Sequence, residues 1–172
     1  MSETVLTVPR HESRRSLPAR LLRELCDADF SRAIALSSLL LGAVSGLVIG
    51  LWSFGGPLPE PAWIGGYGEL PRRLIRLGHI ALFALGMINL MLARQHAAFG
   101  LPERTTRLGL AAMNIGNLLM PALLFITVFV PLAKYLLALP ALAVSLALAI
   151  AAFGGWRQWG LRRGPMELRR VR

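Results

Sequence analysis

Polar side chains almost vanish from four stretches of this chain, residues 33–54, 74–93, 108–130 and 132–153, while arginines, prolines and glycines gather between them. A bilayer's hydrocarbon core is about 30 Å thick and a helix rises about 1.5 Å per residue, so each stretch is long enough to cross it. The pattern predicts an all-α integral membrane protein, a four-transmembrane-helix bundle spanning residues 33–154. It is flanked by a basic arm (1–32) and a basic tail (155–172). Within the arm, Ser16 and Pro18 are suited to open a short helix whose Leu17, Leu21, Leu25 and Ala28 share one face. That spacing predicts a short cytoplasmic amphipathic helix lying along the interface before the first span. The alternative is a disordered arm through residue 15 followed by a frayed helix. A secretory signal does not fit, because a long polar segment precedes an apolar run that exceeds a signal h-region.

The formal net charge of +10 would suit a nucleic-acid binder if it were spread over a folded surface. It is not. All the basic residues except Arg72, Arg73, Arg76 and Lys134 lie before the first span, between spans two and three, or after span four. Basic flanks are retained in the cytosol, so both termini are expected to be cytoplasmic, N-in and C-in. Aromatics do not interleave with the arginines as a base-stacking surface requires, and no nucleic-acid partner is expected. Anionic lipid head groups are the expected counter-charge. The expected location is a plasma membrane of the bacterial inner-membrane kind. Trp and Tyr favour the lipid–water boundary, and Trp52, Trp63, Tyr67 and Tyr135 mark one side while Trp156 and Trp159 mark the other.

Small residues indicate how the helices meet. Ser38, Gly42, Gly46 and Gly50 recur every four residues along span one, a smooth stripe that lets another backbone approach closely, and Gly86 and Gly116 are further packing positions. Such a stripe serves contacts inside the bundle or with another subunit, either a different membrane protein or a second copy.

His79 is the most unusual residue within a span. An ionisable group there is costly in lipid and is expected to face the bundle interior, a cavity or a partner, with Gly86 and Asn89 on about the same face. It suits a neutral imidazole bonded to a neighbouring helix. It would also suit an axial ligand to haem b, paired with Met113 or Met120 or with a second copy of His79, or a proton-handling group in a small transporter. A relay would want an acidic partner, and all nine acidic residues lie outside the spans. Asn114 and Asn117 in span three are the other polar positions. Asn89 and Asn114 come to similar depths, so an interhelical amide hydrogen bond between them is expected, worth about 0.6 kcal/mol in a membrane. Pro121 should kink span three. Pro131 should give spans three and four a minimal turn. Span four, mostly Ala and Leu with Ser145 alone as a mid-span polar group, reads as a packing helix.

Chemistry is otherwise sparse. Cys26 is the sole cysteine and cannot form an intramolecular disulfide. There is no P-loop, GxSxG or metal-spaced histidine pair, so no catalytic residue, resident cofactor or metal is assigned. Trp63 and Tyr67 in the Pro- and Gly-rich loop 55–71 should dock rather than stay in water. The reading is a non-catalytic accessory or scaffold subunit of a membrane assembly, for example an energy-transducing one. A haem b electron carrier using His79 and a small transporter are the alternatives.

Overall fold

A computed structural model describes residues 23–53 and 55–163 of the chain. Among the described residues there is no strand. There are four long helices: α1 (Ala28–Gly50), α2 (Leu70–Gln95), α3 (Glu103–Phe129) and α4 (Ala138–Arg163), with 3-10 segments at His96–Phe99 and Pro131–Leu137. All four helical segments are long and apolar enough to cross a membrane.

Helix ends follow local chemistry more than the edges of the apolar runs. Asp27 caps α1, its carboxylate accepting from the backbone N–H groups of Asp29 and Phe30 at 2.9 Å each. Ala28 therefore opens the first long helix and does not belong to the preceding amphipathic turn. Of that predicted interfacial helix, residues 23–25 are helical and the chain breaks at Cys26 and Asp27; the remainder lies outside the described residues. Pro71 starts α2 earlier than the apolar run, since its fixed φ suits a first turn that needs no N–H donor. Arg72 and Arg73 are thereby drawn into the helix.

The connection after α3 is longer than the minimal turn expected at Pro131. Proline disfavours a helical residue before it, and Val130 is extended (φ −126°, ψ 87°), so α3 stops at Phe129. Seven residues of 3-10 helix then precede α4. At its other end α4 runs past residue 154 to Arg163, so the first part of the predicted tail, including Trp156 and Trp159, continues the helix. α3 passes through Pro121 without interruption.

Packing makes an open bundle. α1 lies along α2, α2 along α3 and α3 along α4, with a lesser contact of α1 on α3; α1 and α4 share no extended contact. α3 is the hub. In its apolar stretch 44% of residues are buried, against 17% for the α1 segment and 11% for the last segment. Met113, fully buried, packs with Ala112 and Ala147, and Leu85, Ile88 and Leu92 of α2 close over them. Gly116 lets α4 approach: a Cβ there would collide with Val144 and meet the Pro140 carbonyl at 3.3 Å.

Candidate functional site

Polar side chains inside the bundle meet at three levels along the helix axes. At the level nearest the chain termini, Asn114 of α3 is a junction. Its Oδ1 accepts from Asn89 Nδ2 of α2 at 2.9 Å, and its Nδ2 donates to Ser31 Oγ of α1 at 2.8 Å and to the Leu25 carbonyl at 2.9 Å. One amide thus ties together α1, α2, α3 and the turn before α1. The bond expected between Asn89 and Asn114 is present, and both residues are fully buried. Ser31 was not singled out by the sequence; its only signal was its place seven residues before Ser38, on the same helix face.

One turn along, Ser38 Oγ donates to Asn117 Oδ1 at 3.0 Å. Asn117 Nδ2 and Asn89 Oδ1 are buried with no hydrogen-bond partner among the described residues. At the third level, nearer the α1–α2 loop, His79 Nδ1 lies 3.0 Å from both the Gly42 carbonyl and Ser45 Oγ. A carbonyl only accepts, so the contact with Gly42 places a ring proton on Nδ1. Phe83 meets the imidazole edge-on at 5.3 Å.

The small-residue stripe of α1 does not face one neighbour. A step of four residues advances a helix by about 40° beyond a full turn, so the stripe winds around the axis. Ser38 reaches Asn117 on α3, Gly42 accommodates Phe83 and Gly46 accommodates His79, both on α2. At Gly50, at the helix end, an added Cβ would meet nothing within 4 Å. The polar face of α2 divides likewise: His79 and Gly86 meet α1, whereas Asn89 meets α3.

Of the two methionines considered as haem partners, Met113 lies well away from His79 along the helix axis. Met113 packs beside Ile88, nine residues along α2 from His79, an axial offset of about 13 Å. The imidazole's Nδ1 is engaged by α1, at Gly42 and Ser45. Among the described residues no group of three His, Cys, Asp or Glu side chains gathers as a metal site.

Two cavities lie toward the α1–α2 loop. The larger, about 530 Å³, is an apolar groove between α1 and α3 with Trp52, Trp63 and Phe129 near the loop end. Trp63 docks on Phe129 there, ring centroids 5.3 Å apart, yet remains half exposed. The smaller, about 250 Å³, sits between α1 and α2 and is lined by Ser53, Tyr67, Arg72, Arg76 and His79 over a floor that includes Gly46 and Ile80. Arg72 is buried and ion-paired to Glu60 at 2.7 Å. Arg76 lies over the Tyr67 ring, 4.0 Å from its centroid, and donates to the Tyr67 carbonyl at 3.2 Å. Sequence reasoning missed this cluster because arginines ahead of an apolar run read as solvated flank. The volume is below the about 300–1,000 Å³ typical of a pocket that encloses a whole small ligand, so it suits a group the size of a lipid head rather than a porphyrin. Comparison with known protein families, with characterised proteins and with solved structures gives no match.

Proposed function

We propose that this chain is a non-catalytic multi-pass membrane protein, both termini cytoplasmic, that serves as an accessory or scaffold subunit of a larger membrane assembly. The observation that carries the reading is the use made of the polar residues within the helices. Asn89, Asn114, Asn117, Ser31, Ser38 and His79 bond to one another or to backbone across helix boundaries. They act as fasteners. The open packing supports the same role: α1 and α4 present long apolar faces that do not meet each other, with room for lipid or other spans on both flanks.

The test is purification of the tagged full chain from its native membranes in mild detergent, with quantitative mass spectrometry of what accompanies it. A stoichiometric membrane partner, lost when Leu40 and Leu47 on the exposed face of α1 or Leu142 and Phe153 on α4 are replaced by bulky polar residues, is the expected result. A chain that purifies alone and drives solute flux in proteoliposomes would overturn it. So would a Soret absorption band that disappears in His79→Ala, which would assign haem in place of scaffolding.

A further inference from the structure

We propose that the 250 Å³ cavity between α1 and α2 binds the phosphate group of an anionic phospholipid, a site that rests on the membrane reading and is independent of the accessory role. The charge at this place is unusual for a span end. Arg72, Arg73 and Arg76 sit within the first two turns of α2, where the positive end of the helix dipole disfavours cations. Glu60 offsets Arg72, but Arg76 has no carboxylate within ion-pairing distance among the described residues. Its guanidinium is fixed instead by the Tyr67 ring and carbonyl, which hold it at the cavity wall without neutralising it.

A second observation points to a ligand that accepts hydrogen bonds. Ser53 is 8% exposed and lines the same cavity, where its hydroxyl can donate to an acceptor. Arg72 adds a guanidinium whose side chain is 9% exposed and which uses Nη1 on Glu60. A phosphate oxygen cluster matches this set, since it offers several acceptors and a charge to meet Arg76.

The cavity floor distinguishes a lipid from a soluble anion. Gly46 and Gly50 supply a smooth α1 surface, and Ile80, 56% exposed, carries it to the apolar perimeter of the bundle. An amphiphile therefore places its phosphate between Ser53 and Arg76 and runs its hydrocarbon outward over Ile80. A free phosphate would leave that apolar wall uncovered.

The experiment uses the full chain purified in dodecyl maltoside, stripped of lipid and titrated with dioleoyl phosphatidylglycerol or dioleoyl phosphatidylcholine, with bound lipid counted by native mass spectrometry. The expected result is one phosphatidylglycerol held about tenfold more tightly than phosphatidylcholine, the scale of one charge-assisted hydrogen bond. Arg76→Gln should remove that preference. Gly50→Phe should do the same by filling the cavity, and it should fold, because a Cβ at Gly50 meets nothing within 4 Å. Lys134→Gln, which removes an exposed cation lying over Tyr135 instead, should leave the preference intact. Equal retention of both lipids, or a preference unchanged in both cavity variants, would overturn the proposal. Displacement of the lipid by millimolar inorganic phosphate would overturn the lipid assignment in favour of a soluble anion. A chain that stays soluble without detergent would instead defeat the membrane reading beneath it.

Discussion

Replacing Asn114 by Leu should destabilise the protein several-fold more than the same change at Asn117, three residues along the same helix. Asn114 makes three hydrogen bonds, to Asn89, to Ser31 and to the Leu25 carbonyl. At about 0.6 kcal/mol for each such bond in a membrane, their loss costs about 2 kcal/mol. The change also strands Asn89, whose Oδ1 is already without a partner and whose Nδ2 would become so, and a buried unsatisfied group costs about 1–3 kcal/mol. The sum is on the order of 3–5 kcal/mol. Asn117 makes one bond, to Ser38, and its Nδ2 is itself unsatisfied, so Leu there removes a liability together with the bond. Ser38 can then turn its hydroxyl to a carbonyl of its own helix. The expected effect of Asn117→Leu is within about 1 kcal/mol of zero. Both values are read from reversible unfolding in mixed micelles of increasing dodecyl sulfate fraction, followed by circular dichroism. The double variant Asn89→Leu/Asn114→Leu should recover part of the loss, because it removes the stranded amide along with its partner. If Asn114→Leu proves no more damaging than Asn117→Leu, the account of these amides as fasteners of unequal weight is refuted.

Gly46→Ala should cost about 1–3 kcal/mol in the same assay, because its Cβ would lie 2.6 Å from His79 Cε1 and push the imidazole off the Gly42 carbonyl, whereas Gly50→Ala should be nearly neutral. Gly116→Val should loosen α4 from α3, measured as faster proteolysis within the 131–137 connection, since α4 has no extended contact with α1 to hold it. Glu60→Gln should destabilise by about 1–2 kcal/mol, less than the about 3–5 kcal/mol of a fully buried pair because Glu60 is half exposed, and Arg72→Met in that background should restore part of it. On the proposed topology, Cys26 in intact cells should react with a membrane-permeant maleimide and resist an impermeant one; labelling by the impermeant reagent would invert the topology.

The existence of the four helices was legible because an apolar run of this length satisfies its backbone in lipid only by forming a helix, and the Asn89–Asn114 pair was legible because two amides at matching depth on adjacent spans have little else to bond. Helix ends were less so. Asp27 and Pro71 start their helices ahead of the apolar runs, and a hydropathy edge does not register a cap or a proline. The partners of Ser31, Ser38 and Ser45 were hidden for another reason: a serine in a span satisfies its hydroxyl equally well on its own helix, as Ser145 does with the Ala141 carbonyl, so its presence does not announce a cross-helix bond. The strict four-residue spacing on α1 misled in proportion to its length. Neighbouring steps stay on one face, but three steps turn through about 120°, which is why Ser38 and Gly50 end up facing different surroundings.

The position of α3 as the helix that touches all three others also orders the chain's assembly in time. When α1 and α2 have been made, the glycine–aromatic and imidazole contacts between them can form as a hairpin, but Ser31, Ser38 and Asn89 still lack their partners. Those partners are on α3, more than 70 residues after the two serines in the chain. On the membrane reading, the α1–α2 hairpin would stay unfinished until the third segment arrives to close it, and a chain truncated before α3 would leave the Asn89 amide and the Ser38 hydroxyl open to a neighbouring protein.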